Sequence, residues 1–276
     1  MSRYVKNQKP KKWGKEMIEV RELKKKFGDV HAVNGVSFTA KSGAITGLLG
    51  PNGAGKTTTI RMIGTLVSID GGSVSVNGID AARDPEAVRR TSGLLTDARG
   101  LYTRMTAREN IRYYADMRGI DRAKSDRTIA RFADWLDMGE ILDRRTEGFS
   151  QGERMKVAIT RALVHEPTHV ILDEPTNGLD VMTTRALREL IKRLKSEGCT
   201  VMFSSHIMQE VAALCDEIII ISHGRVTAQG TTEELLAMSA KDSLEDAFVA
   251  LAEIENHQSA TSTTTHPMAN KNKEAA

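Results

Sequence analysis

The chain has 276 residues, enough for one large α/β domain, or one domain with a tail, but crowded for two. Its 39 Lys and Arg nearly balance 36 Asp and Glu, so the surplus of +3 marks no basic surface and calls for no nucleic acid. Two cysteines, Cys199 and Cys215, without a CxxC spacing argue against a disulfide framework or a zinc site. No apolar run approaches the roughly 18 residues that span a bilayer.

At the N-terminus, Arg3, Lys6, Lys9, Lys11, Lys12 and Lys15 precede the first acid, Glu16. No apolar segment follows to make a signal peptide, so the chain is expected to stay in the cytosol. Residues 1–15 read as a basic tail, either solvated or touching anionic headgroups. From Met17 to Val76 the pattern is strand-like: Ile18 and Val20, Val36 and Phe38, then Val74 and Val76 alternate with polar residues, and Asn77-Gly78 signals a turn. Between them Ala44 to Leu49 forms an apolar strand running into a glycine-rich loop and a helix beginning near Lys56.

The middle third reads as helices over Arg108 to Met117, Asp126 to Leu136 and from Gln151 onward, an inserted helical subdomain at about 98–165. Beyond it, Val170 to Leu172 reads as a strand, followed by a helix whose Leu187, Leu190, Ile191 and Leu194 share a face and which Gly198 stops. Thr200 to Phe203 and Glu217 to Ile221 follow as strands, the second a β-branched run of the kind buried in parallel sheets. Thr231 and Glu234 have capping-box spacing. Leu244, Phe248 and Leu251 mark a C-terminal helix within 238–255. Residues 256–276 hold almost no large apolar side chain and are expected to be disordered.

Chemistry concentrates in three places. Gly50-Pro51-Asn52-Gly53-Ala54-Gly55-Lys56-Thr57 matches GxxxxGK[ST] between a strand and a helix, the context in which that motif binds nucleotide. Glycines let successive N–H groups curl around phosphate oxygens at a helix N-terminus, whose dipole favours an anion. Lys56 adds a point charge to the outer phosphates, the Thr57 hydroxyl suits the oxygen shell of Mg²⁺, and Thr58 is a further phosphate donor. A chance glycine-rich turn is the rival explanation, and a match of this length in this context makes it a poor one.

The strand His169 to Leu172 ends in Asp173-Glu174, placing two carboxylates where open α/β sheets hold ligands. Asp173 reads as a Mg²⁺ ligand, usually through water, and Glu174 as general base for the attacking water. Acids merely capping the next helix are the alternative, and Lys56 and Thr57 upstream tip the balance. His206 follows the strand Thr200 to Phe203 through Ser204 and Ser205, so it would enter the same crevice.

With Phe149-Ser150-Gln151-Gly152-Glu153-Arg154 ahead of the Val170 to Glu174 strand, the chain resembles the ATP-binding cassette (ABC) ATPases over about Ile18 to Gln229. Glu174-Pro175, Asn177-Gly178-Leu179-Asp180 and Ser204-Ser205-His206 look like that family's Walker B end, D-loop and switch histidine. The resemblance implies a phosphate-loop fold over 16–237: a mostly parallel core sheet, an antiparallel β subdomain and an inserted helical subdomain. It implies ATP as ligand with Mg²⁺, and two such subunits, identical or different, packed head to tail beneath a separate transmembrane permease at the cytoplasmic face. Signature residues Ser150, Gln151, Gly152 and Glu153 of one copy would then cover the γ-phosphate held by the other.

Gln151 departs from the family's usual glycine. Phe27 stands where the family places an aromatic ring against adenine, with a core or edge-strand Phe as the competing explanation. Asp97 aligns with the glutamine of the Q-loop and is assigned near Mg²⁺ by that resemblance. Stretches such as Gly100-Leu101-Tyr102, Glu147 to Ser150 and Val211 to Cys215 look most like the ATP-binding subunits of bacterial sodium-efflux exporters, with drug, lipid and polysaccharide exporters nearby. A soluble relative acting on ribosomes or broken DNA would carry a second cassette or a long coiled coil. A sensor without hydrolysis would lack Glu174 or His206.

Overall fold

The computed structural model describes residues 17–96 and 100–261. Strand β1 (Ile18–Phe27) pairs antiparallel with β2 (Val30–Ala40) and with β4 (Gly71–Val76), and β5 (Ile79–Asp80) closes that four-stranded sheet. Asn77 and Gly78 both have positive φ, +53° and +77°, which a tight hairpin between twisted strands requires.

The second sheet has six strands in the order β10-β9-β3-β8-β7-β6: Arg225–Gly230, Glu217–Ser222, Ile45–Leu49, Thr200–Ser205, His169–Asp173 and Ser92–Leu95. All neighbours are parallel except β10, an antiparallel edge on β9. Register sets Leu49 opposite Ser205 and Asp173 opposite Ser204, so the carboxyl ends of β3, β7 and β8 deliver their loops side by side. That crevice is the place where such sheets hold ligands.

Period-two alternation divides the parallel strands between two cores. Ile218 and Ile220 join Leu49, Val201, Phe203, Val170 and Leu172 on one face; Ile219 and Ile221 join Leu48, Met202 and Ile171 on the other. The second face is covered by α1 (Lys56–Ile63) and the antiparallel sheet, through Ile60, Ile63, Val74 and Val76. The first is covered by α3 (Ala107–Met117), α4 (Arg122–Trp135), α5 (Gln151–Leu163), α6 (Val181–Ser196) and α7 (Met208–Leu214). Of these, α3, α4 and α5 lie in chain order between β6 and β7, within the segment read as helical.

Local chemistry explains the helix starts. Thr106 with Glu109, Ser150 with Glu153 and Thr231 with Glu234 form reciprocal capping boxes, each bonding two otherwise orphaned N–H groups. Helix α4 starts at Arg122 rather than Asp126, because the Asp121 side chain accepts from Lys124 N at 3.1 Å and fixes the first turn. Among the elements without a counterpart in the sequence reading are α2 (Pro85–Thr91), capped by Asp84 with Pro85 in its first turn, and β10, whose mixed polar run carries no alternation strong enough to mark a strand. Helix α8 (Thr232–Ser239) and α9 (Leu244–Thr261) complete the fold.

Helix α9 corrects one expectation. It continues through Asn256 to Thr261, into the segment read as a disordered tail, because the helix begun by buried Leu244, Ala247 and Leu251 propagates at little cost per residue. The remainder of that tail and the basic segment at 1–15 lie outside the described residues. Among the described residues, no helix is long and apolar enough to cross a membrane.

Candidate functional site: a phosphate loop facing two carboxylates

The loop from Gly50 to Gly55 folds as it does because two of its positions have no room for a side chain and a third, Gly53, takes a backbone conformation that favours glycine. A Cβ on Gly50 would fall 2.3 Å from Ile221 O, and one on Gly55 2.5 Å from Ala32 O. Gly53 and Gly55 also have φ of +81° and +103°. The loop base is pinned to its surroundings: Gly224 N donates to Ala54 O at 2.9 Å and Asn34 N to Gly224 O at 2.8 Å, joining β9–β10 and β2 to it. Pro51, Asn52 and Gly53 form an exposed tip, Ala54 is buried, and Thr57 and Thr58 are half-buried at the start of α1. Gly55 is the N-cap and brings no side-chain oxygen, and no acid occupies the first turn. The first N–H groups of α1 are therefore left to an anion.

Lys56 is 4% exposed, an unusual burial for an ammonium, and it is compensated on three sides. It donates to Gly50 O at 2.8 Å and Pro51 O at 3.1 Å, and lies 3.2 Å from Glu174 Oε1. The opposite oxygen of Glu174 lies 3.3 Å from His206 Nδ1, without hydrogen-bond alignment between them. Glu174 has φ +44°, a conformation costly for a side-chain-bearing residue and typical of sites where function is held under strain. Its backbone is held there by Glu174 N donating to Ser204 Oγ at 2.9 Å and Asn177 N donating to Glu174 O at 3.2 Å.

Asp173 faces a different set of partners. Ser204 Oγ donates to its Oδ1 at 2.6 Å and Thr57 Oγ1 at 3.1 Å. Burial pushes the Asp173 carboxyl above its ordinary range; the bonds from Ser204 and Thr57 pull it back, and the neighbouring Glu174 adds to the rise. The turn at Glu174 thus separates two adjacent acids, one onto the Thr57 hydroxyl and one onto Lys56 and His206.

The Ser150 turn makes a second group. Ser150 caps α5, with Ser150 N donating to Glu153 Oε2 at 2.8 Å and Glu153 N to Ser150 Oγ at 3.1 Å; those bonds, with Arg144, hold the Glu153 carboxyl below its usual range. Asp180 caps α6 through Thr183 N at 2.9 Å. Gln151 Nε2 donates to Asn177 O at 2.9 Å, and a Cβ on Gly178 would fall 2.5 Å from that amide. A Cβ on Gly152 would fall 2.7 Å from Thr183 Oγ1. The Ser150 turn and the loop 177–180, read from the sequence as signature and D-loop, therefore pack on each other within one chain. Asn177 of that loop bonds Glu174, through N to O at 3.2 Å and Nδ2 to Oε2 at 3.5 Å, but among the described residues no hydrogen bond runs from Ser150, Gln151 or Gly152 to Lys56, Thr57, Asp173, Glu174 or His206.

Phe27 lies at the tip of the β1–β2 hairpin, half exposed, with Lys25 Nζ 5.5 Å from its ring centroid, so it is not a core side chain. Asp97 lies outside the described residues. Sequence reasoning gave no role to Ser204, which bonds both Asp173 and the Glu174 backbone, nor to Glu210, Thr176 and Ser205. The available signal was a pair of serines closing an otherwise apolar strand.

Residues 33–177 match the family model described as ABC transporter. Over 239 residues the chain is 41% identical to the ABC transporter ATP-binding protein NatA of Bacillus subtilis (strain 168), covering 85% of this chain and 97% of that protein. Over 228 residues it is 36% identical to the linearmycin resistance ATP-binding protein LnrL of the same organism, covering 83% and 73%. A solved ATP-binding subunit of an ABC transporter superimposes with a TM-score of 0.79 at 31% identity, covering 85% of this chain and 99% of that one. With its phosphate loop, paired carboxylates and signature turn on that shared fold, the chain belongs to the ABC transporter family as one of its ATP-binding, ATP-hydrolysing members.

Proposed function

We propose that the chain drives export by closing as a dimer around ATP at the cytoplasmic face of a membrane, beneath a separate transmembrane permease. The observation carrying this reading is the division of labour within one chain. Lys56, Thr57, Asp173, Glu174 and His206 gather at one cluster, while Ser150, Gln151 and Gly152 pack on the D-loop with no bond to that cluster among the described residues. Two half-sites in one chain are completed by a second subunit, identical or different, placed head to tail.

In that reading the loop amides from Gly50 to Gly55 and the first turn of α1 bind the phosphates, with Lys56 as their counter-charge. Glu174 accepts the proton of the water that attacks the γ-phosphorus, and His206, facing its Oε2, keeps that carboxylate aimed. Thr57 and Asp173 offer only oxygens, 3.1 Å apart, which is the donor chemistry Mg²⁺ prefers. Bound there, Mg²⁺ would neutralise charge on the phosphates. The Ser150 hydroxyl and Gly152 N–H would meet the γ-phosphate of the other copy, and Phe27 offers an exposed ring to the base.

The test is a Glu174→Gln variant with MgATP, followed by size-exclusion chromatography and light scattering. A dimer that forms with MgATP and disperses on its removal supports the reading; a monomer at saturating MgATP sinks it. For the cargo, Na⁺ is the first ion to assay in vesicles carrying this chain and its permease, given the resemblance to sodium-efflux subunits. Similarity to a linearmycin resistance protein favours a drug as the second cargo to try.

A further inference from the structure

Glu210 is 3% exposed in the first turn of α7 and touches neither of the groups just assigned to catalysis. Its Oε2 accepts from Thr176 Oγ1 at 2.5 Å and from Ser205 Oγ at 3.2 Å. Thr176 lies two residues after Glu174, and Ser205 immediately precedes His206. Ser205 Oγ in turn accepts from Ile207 N at 3.0 Å, so the residues on both sides of His206 are held through one hydroxyl. On its other side, Glu210 Oε1 lies 3.7 Å from Arg188 Nη2 on α6, which supplies a counter-charge.

An acid this buried, with two hydroxyl donors on one oxygen and a cation facing the other, is costly to leave unmatched and stiff once matched. The two segments it joins come from different strands, β7 and β8, and their side chains Glu174 and His206 meet at 3.3 Å. That contact lacks hydrogen-bond alignment, and Ser204 ties only the Glu174 backbone to β8. Glu210 adds a second tie, to the residues that follow Glu174 and flank His206.

We propose that Glu210 is a positioning residue for ATP hydrolysis: its carboxylate ties the Thr176 loop to the Ser205 turn and so fixes the Glu174 carboxylate opposite His206. The inference rests on Glu174 and His206 acting together as read above. What the role needs is an acceptor at Oε2, so a glutamine at this position, whose carbonyl oxygen can accept both hydroxyls, retains most of the function. An alanine leaves two buried hydroxyls without an acceptor and frees the loops from each other.

The test is a double-mutant cycle on the full chain: wild type, Glu210→Ala, His206→Ala and the double variant, with Glu210→Gln and Thr176→Val alongside. Initial rates and single-turnover rates are measured across MgATP concentrations, with urea denaturation of each protein. Glu210→Ala is expected to lower kcat by about 10- to 100-fold, the scale of a displaced catalytic group, with KM almost unchanged because the phosphate loop is untouched. In the His206→Ala background the same change should cost less than about threefold more, since the two act through one geometry. Glu210→Gln should recover most of the rate.

Full loss multiplying in the double variant overturns the proposal, as does a rise in KM with kcat intact. If Glu210→Ala does not fold, the isosteric Thr176→Val decides: an unchanged kcat overturns the proposal and a lowered one supports it. His206→Ala with wild-type turnover would remove His206 from the site and take the proposal with it. His206→Ala crippled beside an unimpaired Glu210→Ala would defeat this proposal alone.

Discussion

Glu174 Oε1 lies 3.2 Å from Lys56 Nζ, so the general base assigned from one motif and the phosphate-binding cation assigned from another compensate each other's charge in a largely buried crevice. A buried ammonium and a buried carboxylate are each expensive alone, and their pairing with the Gly50 and Pro51 carbonyls makes both affordable. Substitutions on either side therefore alter chemistry and local electrostatics together.

Lys56→Ala removes the counter-charge of the phosphates. ATP turnover is expected to fall by on the order of 10²- to 10³-fold, with weakened nucleotide binding in a fluorescent-ATP titration. Wild-type affinity in that titration would refute the assignment.

Glu174→Gln keeps the shape and removes the proton acceptor. Phosphate release should drop by about 10²- to 10⁴-fold while MgATP still binds, because the loop from Gly50 to Gly55 is unchanged. Undiminished turnover takes Glu174 out of the mechanism.

Asp173 gives a pH-dependent prediction of opposite sign to the usual acid. Burial raises its pKa in the folded state above the ordinary 3.8, so the native chain binds that proton more tightly than the unfolded one does. This contribution favours folding most at low pH and is lost as pH rises through the native pKa. Asp173→Asn should then gain stability relative to wild type in urea midpoints as pH rises above the ordinary 3.8, while losing hydrolysis. A midpoint difference independent of pH would contradict it.

Gly55→Ala and Gly53→Ala separate strain from collision. Both glycines have positive φ, but only the Gly55 Cβ would meet backbone, 2.5 Å from Ala32 O. Gly53→Ala is expected to cost about 1 kcal/mol from strain alone, and Gly55→Ala about 3 kcal/mol or more. Equal denaturation midpoints for the two variants would disprove the distinction.

The phosphate loop and the acids at the end of β7 were legible because their chemistry is local: three closely spaced glycines, a lysine and a hydroxyl sit between a strand and a helix within a few residues. Parallel strands were legible from β-branched runs such as Ile218 to Ile221, and helix starts from Thr231 and Glu234. Helix α2 escaped notice since it buries a single side chain, Val88, too few for a period to emerge. Strand β10 escaped because this edge strand leaves most of its residues only partly buried, so no apolar alternation marks it.

Amino-acid order by itself determined the identity of the phosphate loop, the presence of two carboxylates after a buried strand and the class of ligand they serve, since these depend on neighbours in the chain. The roles of Asp173 and Glu174 were already assigned from the sequence; only the tertiary structure decided which groups each acid faces. Glu174 turns toward Lys56 and His206 because its backbone is held at positive φ by Ser204, and Asp173 keeps to Thr57 because strand register sets it beside the same serine. Those contacts join segments far apart in sequence, and side-chain direction at a strand end follows from the backbone angle there, which no residue type alone dictates.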